Sequence, residues 1–254
     1  MSGPVDVAVE RHVGVCTIAD EAHRNALGPE LAEALIGVLE GLDADDGVHA
    51  VVLAGSGDYF ATGPDIRSFR GGGPAADITM AGFWERHRAL AKPSVAAVAG
   101  WALSTGCELA LACDLMVVAK DAAFGLPEIT FGLIPSGGAT QRLTRALGKQ
   151  RAMELVLTGR RMTGKQAHEW GLANIVMERR DVLDQAVMLA EQLAKRPPLA
   201  LRYAKRAVLD ADELGLPEGL ARERELFARA LATEDRIEGV EALLEGRKPD
   251  FSGR

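Results

Sequence analysis

The segment AVAGWALSTGCELALACD, residues 97–114, decides how this chain is read. An apolar run enters Gly100, Ser104-Thr105-Gly106 supplies a turn, and GCELALACD begins a short helix. A strand–turn–helix corner of this kind presents backbone N–H groups that have no partner inside the helix, at the positive end of its dipole. Such a corner can hold an oxyanion. Glu108 stands in the same first turn. Acidic residues are favoured there by the dipole alone, so locally Glu108 reads either as a helix-end charge or as a catalytic carboxylate.

Downstream, FGLPEITFGLIPSGGATQRL (residues 124–143) places Glu128 between Pro127 and Ile129 in an apolar setting. A carboxyl in apolar surroundings holds its proton to higher pH and can serve as an acid near neutrality. The alternative is an exposed loop charge. Two such glutamates around one point, in different environments, would form an acid–base pair.

The flanking segments give the architecture. VDVAVERHVGVCTIAD alternates and reads as a strand or hairpin with Gly14 between its halves. PELAEALIGVLEGLDADDG reads as a helix opened by Pro29, with Leu31, Leu35 and Leu39 on one face. HAVVLAGSG, SVAAVAG and LMVVAKD read as buried strands, and ITMAGFWERHRALA as a helix stopped at Lys92-Pro93. RGGGPAAD, residues 70–77, reads as a loop. Alternating strands and helices predict an α/β domain with parallel pairing. From about Ser136 onward the chain reads as helical throughout, and the apolar faces after residue 196 need a partner surface. FATGPDI, residues 60–66, raises a separate question: Pro64 interrupts a stretch suited to presenting N–H groups, and proline has none.

Bulk properties narrow the function. The 254 residues carry 29 basic and 36 acidic side chains, a net charge of −7, which argues against general nucleic-acid binding. Cys16, Cys107 and Cys113 form no CxxC pair, and the five histidines lack ligand spacing, so neither disulfides nor a metal site is expected. The opening residues lack a basic start followed by an apolar core, and no apolar run reaches membrane-spanning length. A cytoplasmic protein without membrane association is the expectation.

Taken together, RNAL (24–27), FATGPDI (60–66), AVAGWALSTGCELALACD (97–114), FGLPEITFGLIPSGGATQRL (124–143) and the closing TEDRIEGVEALLEGRKPDF resemble the crotonase superfamily, enoyl-CoA hydratases in particular. The order and spacing of the motifs carry the resemblance over nearly the whole chain. It implies an α/β fold built as a spiral of ββα units, with an acyl-CoA-binding and catalytic core over 1–195. A helical oligomerisation region over 196–254 would give a homotrimer or a dimer of trimers. It implies an acyl-CoA thioester substrate, with coenzyme A part of the substrate and no separate cofactor. By position in the motifs, Glu108 and Glu128 are the catalytic pair, and the oxyanion hole falls at Thr105 N–H and at Pro64, which has no N–H to give. The adenine is expected near backbone groups around Thr62 and Ile66, in the same segment as Asp65. Arg24, Arg67, Arg247 and Lys248 are expected near phosphates.

Three departures from the family pattern stand out. Ser104-Thr105 replaces two glycines, Gly246 stands where a lysine is common, and Pro64 removes a donor. Hydration of a trans-2-enoyl thioester is the leading expectation. An enoyl-CoA isomerase or specialised lyase of the same fold is the alternative within the family. A low-turnover acyl-CoA-binding protein is the alternative from another class, and Pro64 is its only support.

Overall fold

The alternating run at the N-terminus folds back on itself. β1 (Val5–Glu10) pairs antiparallel with β2 (Val13–Ile18). The turn lies at Arg11 and His12, both with positive φ (48° and 65°), rather than at Gly14. Gly14 sits inside β2, where a Cβ would press on the Leu42 side chain. The structure, a computed structural model, describes residues 3–64, 67 and 80–254. The loop expected over 70–77 lies outside the described residues, as do Asp65 and Ile66.

The remaining strands are β3 (Ala50–Gly55), β4 (Tyr59–Ala61), β5 (Ser94–Val98), β6 (Trp101–Leu103), β7 (Leu115–Ala119), β8 (Ala123–Gly125), β9 (Met162–Thr163) and β10 (Ile175–Met177). They form a six-stranded sheet in the order β1-β2-β3-β5-β7-β10 and a four-stranded sheet in the order β4-β6-β8-β9. From β2 to β10 the larger sheet is parallel, as are β4-β6 and β6-β8. Each passage of the chain (β3 then β4, β5 then β6, β7 then β8) adds one strand to each sheet, which is the expected spiral. The corners are tight: a Cβ on Gly100 would overlap the Asp58 carbonyl, so the turn from β5 into β6 tolerates only glycine.

The apolar runs of β3, β5 and β7 are buried, as parallel strands covered on both faces must be. Helix Val182–Ala194 lies across β2, β3, β5 and β7. It turns Val182, Ala186, Ala190 and Ala194 inward, a stripe at i, i+4 whose small side chains permit close approach. Helix Pro29–Ala44 packs by Leu31, Leu35 and Leu39, as expected.

Beyond Ser136 the reading needs correction. Helices Ala139–Leu147, Lys149–Thr158 and Gly164–Glu169 form. But β9 and β10 interrupt the helical run, and β10 extends the large sheet by pairing parallel with β7. Strands of two and three residues are too short to show a period in the sequence. The C-terminal helices are Pro198–Asp210, Leu216–Leu231 and Glu234–Glu245. The first two are joined at buried Asp210, which meets Arg206 at 2.5 Å and Arg222 at 3.4 Å. The chain then folds back so that Ser252 and Gly253 donate backbone N–H groups to Asp235. These helices leave Val208 (73% exposed), Phe227 (66%), Leu243 (81%) and Leu244 (81%) on the surface.

Candidate active site

β6 ends at Leu103, and helix Thr105–Ala112 starts two residues later. The connection is Ser104, whose N–H continues the ladder to the Gly125 carbonyl at 2.8 Å. Ser104 has φ 52° and ψ −127°, a conformation suited to glycine. Of the two residues that replace glycines, Ser104 takes the strained conformation, and Thr105 is already in the helix. Gly106 packs so tightly on β4 that a Cβ would collide with the Ala61 carbonyl.

That helix, TGCELALA, is apolar on nearly all sides, and seven of its eight residues are buried. Its packing carries Glu108 inward, leaving the residue 2% exposed. Oε1 accepts hydrogen bonds from Gly137 N–H at 2.7 Å and Ala139 N–H at 3.1 Å. These donors belong to the start of helix Ala139–Leu147, which has no side-chain cap and no acid in its first turn. Glu108 thus caps a helix other than its own. Gly137 has no room for a side chain, because a Cβ would strike the Trp84 ring and lie 2.7 Å from Glu108 Oε2. Burial pushes the Glu108 carboxyl up to about 7, opposed by the two backbone donors and by Arg142, with the Glu128 charge adding to the rise.

Glu128 occupies the short 3₁₀ turn Pro127–Phe131 that follows β8. It is 7% exposed, which sets aside the exposed-loop alternative. Burial raises its carboxyl, with the Ser104 side chain opposing. Its Oε2 is buried and accepts nothing from the protein. Glu108 feels the Glu128 charge, and Cys107, the residue before Glu108, feels both carboxyls. Burial and these like charges push the Cys107 thiol up as well, beyond the range in which it would ionise. The result is two carboxyls close together, both retaining protons to higher pH than a solvated glutamate, able to divide the roles of proton acceptor and proton donor.

The other corner brings Gly63-Pro64 against Ser104-Thr105. A Cβ on Gly63 would lie 2.5 Å from Ser104 Oγ and 3.7 Å from Thr105 N. Thr105 is buried, and among the described residues its N–H donates to nothing. Pro64 is partly buried in this corner and offers no donor.

The expected CoA-contact residues divide into two groups. Arg24 and Thr62 meet: Thr62 Oγ1 donates to the Arg24 carbonyl at 3.1 Å. The Thr62 backbone is occupied by the RNAL segment, its N–H on Asn25 O and its carbonyl on Leu27 N–H. Asn25, fully buried with φ 50°, pins this bridge by donating from Nδ2 to the carbonyls of Ser56 and Tyr59. Arg67 is exposed. Arg247 is held bidentately by Glu238 at 2.6 and 2.9 Å and by Glu245 at 2.6 Å, and Lys248 is exposed beside it. No contact among the described residues joins Arg247 or Lys248 to the Arg24–Thr62 bridge.

Sequence reasoning missed Gly137 and Ala139 as the donors to Glu108, and Arg142 beside them. One signal was available: SGGA opens a helix without any capping side chain. An uncapped helix end in the interior must find an acceptor elsewhere.

The family described as enoyl-CoA hydratase/isomerase matches residues 8–254. The chain is 42% identical to a 2,3-dehydroadipyl-CoA hydratase of Escherichia coli over 98% of both chains. It is 43% identical to a probable enoyl-CoA hydratase of Rhizobium meliloti, covering 98% of this chain and 97% of that one. A crystal structure of an enoyl-CoA hydratase subunit from Geobacillus kaustophilus superposes with a TM-score of 0.95, at 38% identity and 99% coverage of both chains.

Proposed function

The chain belongs to the enoyl-CoA hydratase/isomerase family, and on that premise we propose that it adds water across the double bond of a trans-2-enoyl-CoA thioester to give a 3-hydroxyacyl-CoA. The observation that carries this reading is the pair Glu108 and Glu128, both buried, both raised and electrostatically coupled. Glu108 in its carboxylate form takes a proton from water as the water oxygen bonds to Cβ. The π electrons move toward the thioester carbonyl, giving an enolate held by the Thr105 N–H. Glu128 in its acid form delivers a proton to Cα on the same face, so addition is syn. Proton exchange with solvent then restores the starting forms. The uncapped helix end that grips Glu108 Oε1 leaves Oε2 for the water.

Coenzyme A enters as part of the substrate. Thr62, Asp65, Ile66, Arg24 and Arg67 are proposed to receive its nucleotide end, with Arg247 and Lys248 near phosphates once subunits assemble. The apolar surface of the region 196–254 supports assembly as a homotrimer or a dimer of trimers. Among the described residues no helix is long and apolar enough to cross a membrane, and a cytoplasmic location is proposed.

Crotonyl-CoA tests the reading. Loss of the enoyl-thioester absorbance, with 3-hydroxybutyryl-CoA as product, is expected. Binding without loss would favour the low-turnover reading that Pro64 suggests, and double-bond migration in a 3-enoyl substrate without hydration would favour isomerisation. Light scattering at micromolar concentration should give a multiple of three subunits.

A further inference from the structure

Arg142, in helix Ala139–Leu147, is tied to the same turn that holds Glu108. Its Nη1 donates to the Gly137 carbonyl at 2.8 Å, while the Gly137 N–H donates to Glu108 Oε1 at 2.7 Å. Residue 137 therefore has one backbone group on the carboxylate and the other on the guanidinium. Gly138, at φ 107°, lies between Gly137 and the second donor, Ala139. A Cβ on Gly138 would run into Nη1 of Arg142, so the guanidinium lies directly over this turn. A free turn of two glycines has many conformations to lose, and the arginine selects the one that points two N–H groups at Oε1.

We infer that Arg142 is a positioning residue for Glu108: it fixes the Gly137–Ala139 turn and lays a positive charge beside this buried carboxyl. The kinetic consequence rests on the reading of Glu108 as the base. The direction of the charge effect agrees, since Arg142 lowers the Glu108 carboxyl against its burial.

Other charged groups face the pair and must be accounted for. Arg142 also feels Cys113, Arg88 and Asp212. Arg88 is paired with Glu213 at 2.5 Å, and Asp212 lies 3.7 Å from Arg145. Glu128 faces Glu108. His87 is held down to about 4, first by burial and then by Lys205 and Arg142, with Asp114 opposing. It stays neutral in the range where Glu108 titrates and supplies no competing limb.

Two substitutions separate charge from geometry: Arg142→Gln keeps an N–H donor for Gly137 without the charge, and Arg142→Lys keeps the charge. The Glu108 titration is read without substrate by ¹³C-carboxyl NMR, assigned with Glu108→Gln, and kinetically as the acid limb of kcat/KM on crotonyl-CoA. Arg142→Gln should raise the titration and move the acid limb with it, so that activity falls on the acid side and recovers at high pH. Arg142→Lys should stay close to wild type. A folded Arg142→Gln protein with unchanged NMR titration overturns the inference. If that variant does not fold, Arg142→Met, which keeps side-chain bulk without the charge or the donor, decides: a raised titration supports the inference and an unchanged one overturns it. If the wild-type protein fails to hydrate crotonyl-CoA while Arg142→Gln still shifts the titration, hydration falls and the positioning role stands.

Discussion

Two corners of the site are built in opposite ways. At Glu108, two backbone donors from a helix end meet one buried carboxyl, and a guanidinium holds the turn that carries them. At the corner of Gly63 and Ser104-Thr105, one buried N–H faces the residue that precedes a proline, and the turn that presents it passes through a residue at φ 52°. In the proposed mechanism, the first corner is preorganised where a proton would move, and the second is poor in donors where negative charge would develop. Changes at the first can only remove something, whereas changes at the second have room to improve the enzyme.

The largest effects are expected at the carboxylates. Glu108→Gln and Glu128→Gln should each lower kcat by about 10²–10⁴. The double variant should be little worse than either, because in the proposed mechanism the two act on one water. Steady-state kinetics on crotonyl-CoA measures this, and additive losses would show that the groups work independently.

Pro64→Ala probes the other corner. If the backbone at 64 faces the thioester oxygen, restoring its N–H should raise kcat by up to about 10²–10³, the size of one oxyanion donor. The fold should lose roughly 0.4–1 kcal/mol through the freer unfolded chain. An unchanged or lower kcat, with the turn intact in a crystal structure, would leave Thr105 as the working donor and Pro64 as a turn residue.

The Glu108 carboxyl also links stability to pH. Its folded value of about 7 lies above the ordinary 4.5, so between those values the native state binds more protons than the unfolded chain. Stability from this group therefore falls as pH rises through that window, by at most about 1.4 kcal/mol per pH unit. Glu108→Gln should remove the slope and melt higher than wild type near pH 8, with the gap closing toward pH 4.5. A melting-temperature profile parallel to wild type would show that Glu108 is not perturbed in this way.

The smallest effect is expected at Ser104→Gly. Strain of about 1–3 kcal/mol is relieved, offset by roughly 0.5–1 kcal/mol for the freer glycine. The net gain of about 1 kcal/mol should appear as a raised denaturation midpoint. A lower midpoint would mean that Ser104 contacts to Gly63 or Glu128 outweigh the strain.

Much of this was legible in the chain itself. The apolar runs of β3, β5 and β7, the helix opened by Pro29 and the corner at residues 100–108 follow from local pattern, because burial on both faces of a parallel sheet leaves few polar letters. Motif spacing singled out Glu108 and Glu128. β9 and β10 were not legible, since two or three residues become a strand only when a sheet edge is there to receive them. Nor was the placement of strain at Ser104, which depends on how β6 is held against β8 before the helix begins.

What the sequence by itself determined is therefore the main strands and helices of the core and the two carboxyl groups. The tertiary structure alone decided what those groups touch. The partners of Glu108 are the backbone N–H groups of Gly137 and Ala139, twenty-nine and thirty-one residues away, and a backbone N–H is the same in every residue but proline. It acquires a role only when packing brings an uncapped helix end against a buried charge, which no single segment can do on its own.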